Sequence, residues 1–155
     1  MQNQPATQTQ TLSDWAADSS AQLTITAPSI DAAIGRSLQA VLNVARGAGV
    51  DAGPASADAE SISAPIRGQG DSYGEALYEL ANDLLAQLDA NGSGLTTARL
   101  DGVLATDDGG YTAWGSVLGE ASGERPPVSL SIAGTPAVTQ TDDGQTTVDV
   151  RLVRS

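Results

Sequence analysis

The sequence predicts an α+β fold in which two amphipathic helices pack on a mostly antiparallel sheet. Two segments repeat their apolar residues every three or four positions, which is the helical period. Most other structured segments alternate apolar and polar residues, as half-buried strands do. The second half of the chain holds several such segments separated by short turns, which is typical of antiparallel strands. An amphipathic helix needs a surface over its apolar face, and the strands supply it.

Composition narrows the kinds of chemistry open to this chain. It has 155 residues, a net charge of -12, and no Cys or His. There is therefore no thiolate or imidazole for catalysis and no sulfur- or nitrogen-ligated metal. Any metal would be a hard cation held by oxygen atoms. All seven cations are Arg and they form no cluster in the sequence, so we predict no direct binding of nucleic acid.

The N-terminal residues 1–10 are rich in Gln and Thr, and we expect a flexible arm there that is ordered at most from Thr9 as a first strand. The arm lacks the apolar core of a signal peptide, and no apolar run approaches membrane-spanning length. We therefore expect a cytoplasmic protein without membrane association. The remaining residues, 11–155, have the length of a single domain.

The predicted strand over 22–27 leads directly into the first predicted helix. Residues 22–27 alternate apolar side chains with Thr, which indicates a half-buried strand. Pro28 and Ser29 then open a helix, and Gly47 with Gly49 ends it. A loop rich in Ala, Gly and Pro follows over 50–59.

An edge strand and the clearest helix come next. Residues 61–67 alternate weakly, and Pro65 predicts an edge strand because proline has no backbone N–H to donate. The second helix is predicted over 70–89. Ser72 with Glu75 forms the pattern of a capping box at its start.

Four or five antiparallel strands are predicted after the second helix. The strand segments are 95–105, 111–120, 128–132 and 146–153, and the turn segments are 107–110, 134–136 and 142–144. Asn and Gly residues just after residue 90 supply the helix stop that precedes them.

Acidic residues provide the candidate sites. Asp14 and Asp18 flank Trp15 just before the first strong strand. The segment is either a turn with solvated acids and an anchoring Trp, or part of a cation site. Asp149 lies in antiphase to the valines beside it on the last strand, so we expect it to face away from the core. One hypothesis is that Asp149 meets Asp18 and that the two share a cation, which would relieve their repulsion.

Other acidic segments fit ordinary turns better. The segment 89–94 resembles the first half of a helix-loop calcium site, but Leu100 stands where the bidentate Glu is required. A helix C-cap and turn is the favoured interpretation. Asp107-Asp108 and Asp142-Asp143 are predicted to be hairpin turns with exposed charge. No base is present to activate a serine, so we expect a protein that is not an enzyme.

Four stretches together resemble the archease family, the small protein cofactors of the RtcB-type RNA ligase that seals tRNA halves in splicing and acts in RNA repair. They are Asp14-Trp15-Ala16-Ala17-Asp18 for the family's Asp-His-Thr-Ala-Asp segment, Leu23–Leu42 for its strand-to-helix passage, Asn82-Asp83-Leu84-Leu85 for the centre of its second helix, and Leu118-Gly119-Glu120 for the Gly-Glu that ends a hairpin strand.

The resemblance implies an archease-like fold and a non-enzymatic activator that promotes guanylylation and turnover of a partner RNA ligase. It also implies calcium or another divalent cation, bound through Asp18 and Asp149. Trp15 stands where the family has His. The family's C-terminal Asp corresponds to Asp149 if 151–155 is an extension, whereas alignment on the Asp-Gly turn leaves no acid there. The alternative is a structural or protein-interaction module on the same fold that has lost the metal site.

Overall fold

The structure is a computed structural model, and it describes residues 9–47, 62–92, 94–120, 128–141 and 144–154. Its elements in chain order are β1 (Thr9–Leu12), β2 (Ser20–Ala27), α1 (Ile30–Ala45), β3 (Ile62–Gly70), α2 (Tyr73–Asn91), β4 (Leu95–Ala105), β5 (Tyr111–Gly119), β6 (Leu130–Ile132), β7 (Ala137–Gln140) and β8 (Thr146–Arg154). The predicted α+β class, with two helices and mostly antiparallel strands, is confirmed.

Some sequence predictions fall outside the described residues. These are the first eight residues of the predicted arm, the loop over 50–59 and the Asp142-Asp143 turn. Within the described part, the arm's last two residues belong to β1.

The strands form two separate antiparallel sheets. The five-stranded sheet has the order β1-β2-β8-β6, and β7 pairs with β8 as well. β6 and β7 pair with opposite ends of β8. The three-stranded sheet has the order β3-β5-β4, with a regular pairing of β3 on β5 and two register shifts in the β4–β5 pair.

Both helices lie between the two sheets. α1 packs against β2 and β8 of one sheet and against β4 of the other, while α2 packs on β3 and β5 and also contacts β6. This placement explains why α1 is buried over most of its surface from Ser37 onward. The core is aliphatic, and its largest fully buried side chains are Leu23, Ile25, Ile34, Leu38, Leu42, Ile66, Leu77, Leu80, Leu84, Leu88, Leu95 and Leu152.

Serine caps start both helices where the sequence predicts them. The Ser29 hydroxyl accepts a hydrogen bond from the N–H of Ala32 at 3.1 Å, and the Ser72 hydroxyl accepts one from the N–H of Glu75 at 3.1 Å. The Ser72 hydroxyl also lies 3.4 Å from the Glu75 carboxylate, which therefore contacts the cap's side chain. α2 continues two residues beyond the predicted end at 89 and stops at Gly92, whose φ is 91°.

The predicted edge position of β3 is confirmed, because β3 pairs only with β5 in the described chain. Its outward N–H groups bond to carboxylates of α2. The N–H of Arg67 donates to Asp83 at 2.9 Å and the N–H of Gln69 donates to Glu79 at 3.3 Å. Pro65 has no N–H to offer, so this edge presents few free donors to another strand.

The opposite edge of the same sheet, β4, is covered by one side chain of α1. The Gln39 amide nitrogen donates to the carbonyl of Thr96 at 3.1 Å, and its oxygen accepts from the N–H of Ala98 at 2.8 Å. Gln39 also donates to the buried Asn43 at 3.0 Å. Gln39 thus pairs with β4 much as a neighbouring strand would.

Several strand boundaries differ from the prediction. β3 runs to Gly70 and not to 67, because its pairing with β5 continues to Gly70 and Tyr111. β6 begins at Leu130 and not at Val128, because the N–H of Val128 donates to the carbonyl of Ala45 at the end of α1. β2 begins at Ser20, two residues early, because Ser20 pairs with Val153 of β8. Neither helix of the described chain is long and apolar enough to cross a membrane.

Candidate functional site

The candidate site lies at one end of the five-stranded sheet, in the connection between β1 and β2. The N–H of Ser13 donates to the carbonyl of Gln22 at 3.0 Å, which extends the β1–β2 ladder past Leu12. A tight turn follows, in which the N–H of Ala16 donates to Ser20 and the N–H of Ser19 donates to Ala16. Ser19 has a φ of 65°, a left-handed conformation that serine adopts only where its surroundings impose it.

Asp18 holds this turn in place. One carboxylate oxygen accepts hydrogen bonds from the Ser20 hydroxyl at 2.6 Å and from the Ser20 N–H at 3.1 Å. The other oxygen lies 3.0 Å from a guanidinium nitrogen of Arg151, which also donates to the Ser20 hydroxyl at 3.3 Å. The Ser20 hydroxyl, its N–H and the Arg151 charge, in that order of effect, lower the pKa of Asp18.

A second arginine from the end of β8 contacts the same connection. The Arg154 guanidinium carbon lies 4.6 Å from the centre of the Trp15 ring, a cation–π distance. The N–H of Arg154 donates to the carbonyl of Ser19 at 2.9 Å. Trp15 is half-buried against the hydrophobic core, which agrees with the interpretation of this residue as an anchor.

Asp149 lies elsewhere on the outer face of the sheet. It stands opposite Thr24 in the β2–β8 pair and accepts a hydrogen bond from the Thr24 hydroxyl at 2.9 Å. Asp18 contacts Ser20, which is four residues from Thr24, or about 13 Å along an extended strand. The structure therefore does not bring Asp18 and Asp149 together, although it confirms that Asp149 faces away from the core.

A calcium ion shared by these two acids does not fit this arrangement. Calcium requires six to eight oxygen ligands at about 2.3–2.6 Å. Both carboxylate oxygens of Asp18 already accept from hydrogen-bond donors, and Asp149 is too distant to complete a coordination shell. Within the described ranges, no three Asp or Glu side chains are grouped as metal ligands.

A shallow cleft of about 490 Å³ opens beside the ion pair. Its lining residues are Ser13, Asp14, Ala16, Ala17, Asp18, Ser20, Ala21, Gln22 and Arg151. The two acids and the arginine are its charged groups, and the serines and the glutamine add neutral hydrogen-bonding groups. The three alanines add apolar surface, so the lining is mixed and suits contact with a protein surface of both characters.

The other acidic segments behave as turns and caps. Asp89 and Asn91 lie in the last turn of α2, and the Asn91 amide donates back to the carbonyl of Gln87 at 3.0 Å. The helix-cap interpretation of that segment is thereby supported. In the β4–β5 hairpin, Asp108 accepts from the Thr106 hydroxyl and, at 3.3 Å, from the N–H of Gly110. The Thr106 hydroxyl and then the Gly110 N–H lower the pKa of Asp108.

Sequence reasoning missed the partners of Asp18, namely Ser20 and Arg151, and the contacts of Arg154 with Trp15 and Ser19. A signal for Arg151 was present, because it alternates with Val150 and Leu152 and therefore shares the outer face with Asp149. What the alternation cannot give is the register that sets β8 against β2, and only that register places Arg151 beside Asp18.

The end of β8 lies against the first residues of β2 and against the Asp18 turn. Opposite the first residues of β2 the strand carries Val153 and Arg154, and no acid occupies these positions. Two arginines therefore flank the Asp18 turn.

Comparison of the sequence with protein-family models finds no match, and comparison with curated proteins finds none either.

Proposed function

We propose that this chain is an archease-like, non-enzymatic protein cofactor of an RtcB-type RNA ligase, acting in cytoplasmic tRNA splicing or RNA repair. The observation that supports the proposal is the conformation of the Asp18 turn. This turn is one of the family-like segments, and it stands at an open cleft with the exposed Asp18 carboxylate at its surface. The cleft is the surface through which we propose docking on the ligase.

The charge of the molecule supports a protein partner. A net charge of -12 favours approach to a basic surface and disfavours direct contact with RNA phosphates. The cofactor would therefore act on the ligase and not on the RNA. In this proposal Asp18 and Asp14 supply acceptors to the partner, and Arg151 supplies a donor.

Multiple-turnover ligation tests this function. The RtcB-type ligase of the source organism is incubated with excess RNA ends, with and without this chain, and product per ligase molecule is measured. We expect the wild-type chain to raise turnover and Asp18→Asn to lose most of the effect. Asp107→Asn, an exposed turn acid outside the cleft, serves as the matched control and should behave as the wild type.

A result without any effect of the wild-type chain on turnover would contradict this proposal. It would favour the second candidate, a protein-interaction module on the same fold that serves no ligase. The specific observation in favour of that candidate is the pairing of Asp18 with Arg151, since the carboxylate is already engaged within the chain. Absence of complex formation between the purified chain and the ligase would distinguish it further.

A further inference from the structure

We propose that the guanidinium of Arg151 is the resident cation of the Asp18 turn, so that this end of the sheet is ordered without a divalent metal ion. The inference concerns the isolated chain and does not depend on the identity of its partner.

The position of the guanidinium supports this role. Arg151 stands opposite Gln22 on β8, and its side chain runs along the outer face to reach both Asp18 and the Ser20 hydroxyl, at 3.0 and 3.3 Å. It therefore bridges the two groups that fix the turn. A divalent ion bound to the same carboxylate oxygen would have to displace it.

The local charge balance supports the same conclusion. The turn carries two acids, Asp14 and Asp18, and two of the chain's seven cations, Arg151 and Arg154, lie against it. In a molecule of net charge -12 this neighbourhood is close to neutral. The repulsion that a bound cation would otherwise relieve is thus relieved from within the chain.

The two arginines also close the connection mechanically. Arg151 bonds to the acid on one side of Ser19, and Arg154 covers Trp15 while its N–H bonds to the Ser19 carbonyl. Ser19 is held at a positive φ between these contacts. An ordered turn at a strained residue requires such surrounding constraints, and in this proposal the two arginines supply them.

The ion pair is solvent-exposed, with 60% of the Asp18 side chain and 54% of the Arg151 side chain accessible. Its effect should therefore be local: it should change how well ordered the turn is, and it should be sensitive to salt. Hydrogen exchange at the amides of Ser19 and Ser20 reports that order directly.

The first test measures the thermal midpoint of the wild-type chain with a chelator and with millimolar calcium at matched ionic strength. We expect the two midpoints to agree within about 1 °C, whereas tight calcium binding would raise the midpoint by about 5 °C or more. A calcium-dependent rise in the wild type that disappears in Asp18→Asn overturns the proposal. A calcium response confined to Arg151→Gln supports it, because ion and guanidinium then compete for one carboxylate.

The second test is a double-mutant cycle with Asp18→Asn and Arg151→Gln, read by amide exchange at Ser19 and Ser20. We expect each single variant to speed exchange several-fold, with the larger effect in Asp18→Asn because Asp18 also accepts from the Ser20 N–H, and we expect the double variant to resemble Asp18→Asn. The matched control is another exposed ion pair of the described chain, Arg99–Asp101, also at 3.0 Å, whose variants should leave this turn unchanged. Unchanged exchange in Arg151→Gln, or fully additive effects, overturns the proposal.

Discussion

At the residue scale, the hydroxyl of Ser20 connects the charged groups of the candidate site. Ser20 donates to Asp18 through both its side chain and its backbone, and it accepts from Arg151. It thereby positions the Asp18 carboxylate and the Arg151 guanidinium relative to each other. The residue type alone does not predict this role, because a serine at the start of a strand is ordinary. The role follows from the turn, which brings the Asp18 carboxylate into contact with the residue two positions later in the chain.

The pH dependence of Asp18 follows from its lowered pKa. The folded state prefers the carboxylate, so its contribution to stability is fully present above the ordinary value of 3.8 and is lost as pH falls through the lower folded pKa. We expect wild type and Asp18→Asn to differ in urea unfolding near neutral pH and to converge in acid.

Because the Ser20 hydroxyl is the largest cause of the lowered pKa of Asp18, Ser20→Ala should raise that pKa more than Arg151→Gln does, as measured by carboxyl NMR titration. The reverse order would contradict this account.

At the element scale, helix side chains form hydrogen bonds with backbone groups that the strand pairing leaves unpaired. The three-stranded sheet has two edges, and α1 and α2 each supply side chains that bond to one of them. Pro65 allowed the β3 edge to be predicted from the sequence. The role of Gln39 could not be predicted, since a polar residue on a helix reads as solvent-facing until a strand edge is placed against it.

Replacing Gln39 tests this edge. Gln39→Ala leaves the Thr96 carbonyl and the Ala98 N–H without partners in a half-buried setting, and we expect it to lower the free energy of unfolding by about 1–3 kcal/mol. Exchange at the Ala98 amide should speed markedly. Gln22→Ala, at an exposed position, should change stability by less than about 0.5 kcal/mol. Equal exchange at Ala98 in the variant and the wild type would refute the proposed edge contact.

Two glycines test the packing of helices on sheet. A Cβ at Gly68 of β3 would lie 2.3 Å from the Ala76 carbonyl oxygen and 2.6 Å from the Leu80 nitrogen, both backbone atoms of α2. We expect Gly68→Ala to lower the free energy of unfolding by about 1–3 kcal/mol. Gly35 of α1 is the control, since its nearest neighbour would be Leu100 at 3.6 Å and alanine favours the helix. Gly35→Ala should raise stability by about 0.5–1 kcal/mol in chemical unfolding, and equal effects of the two changes would contradict this packing.

At the scale of the whole molecule, periodicity could predict the order of elements but not their assignment to two sheets. Residues 22–27 and 146–153 both alternate, and alternation fixes which face is buried without naming the neighbour. The β2–β8 pairing joins segments more than a hundred residues apart and separates Asp18 from Asp149. The hypothesis of a shared cation required Asp18 and Asp149 to meet, and this register does not bring them together.

The net charge predicts a salt dependence of the whole molecule. An excess of twelve negative charges opposes compaction, and added salt screens that repulsion. We expect the midpoint of thermal unfolding to rise between about 0.05 and 1 M KCl, even though the same salt weakens the Arg151–Asp18 pair. A midpoint that falls over this range would mean that attractive ion pairs outweigh the general repulsion.

The most direct measurement is the number of RNA ligation events per ligase molecule with and without this chain. The account predicts turnover well above one per ligase only when the wild-type chain is present, with most of the gain lost in Asp18→Asn and kept in Asp107→Asn. Equal turnover with and without the chain would contradict the proposed function, while leaving the pairing of Asp18 with Arg151 to its own test.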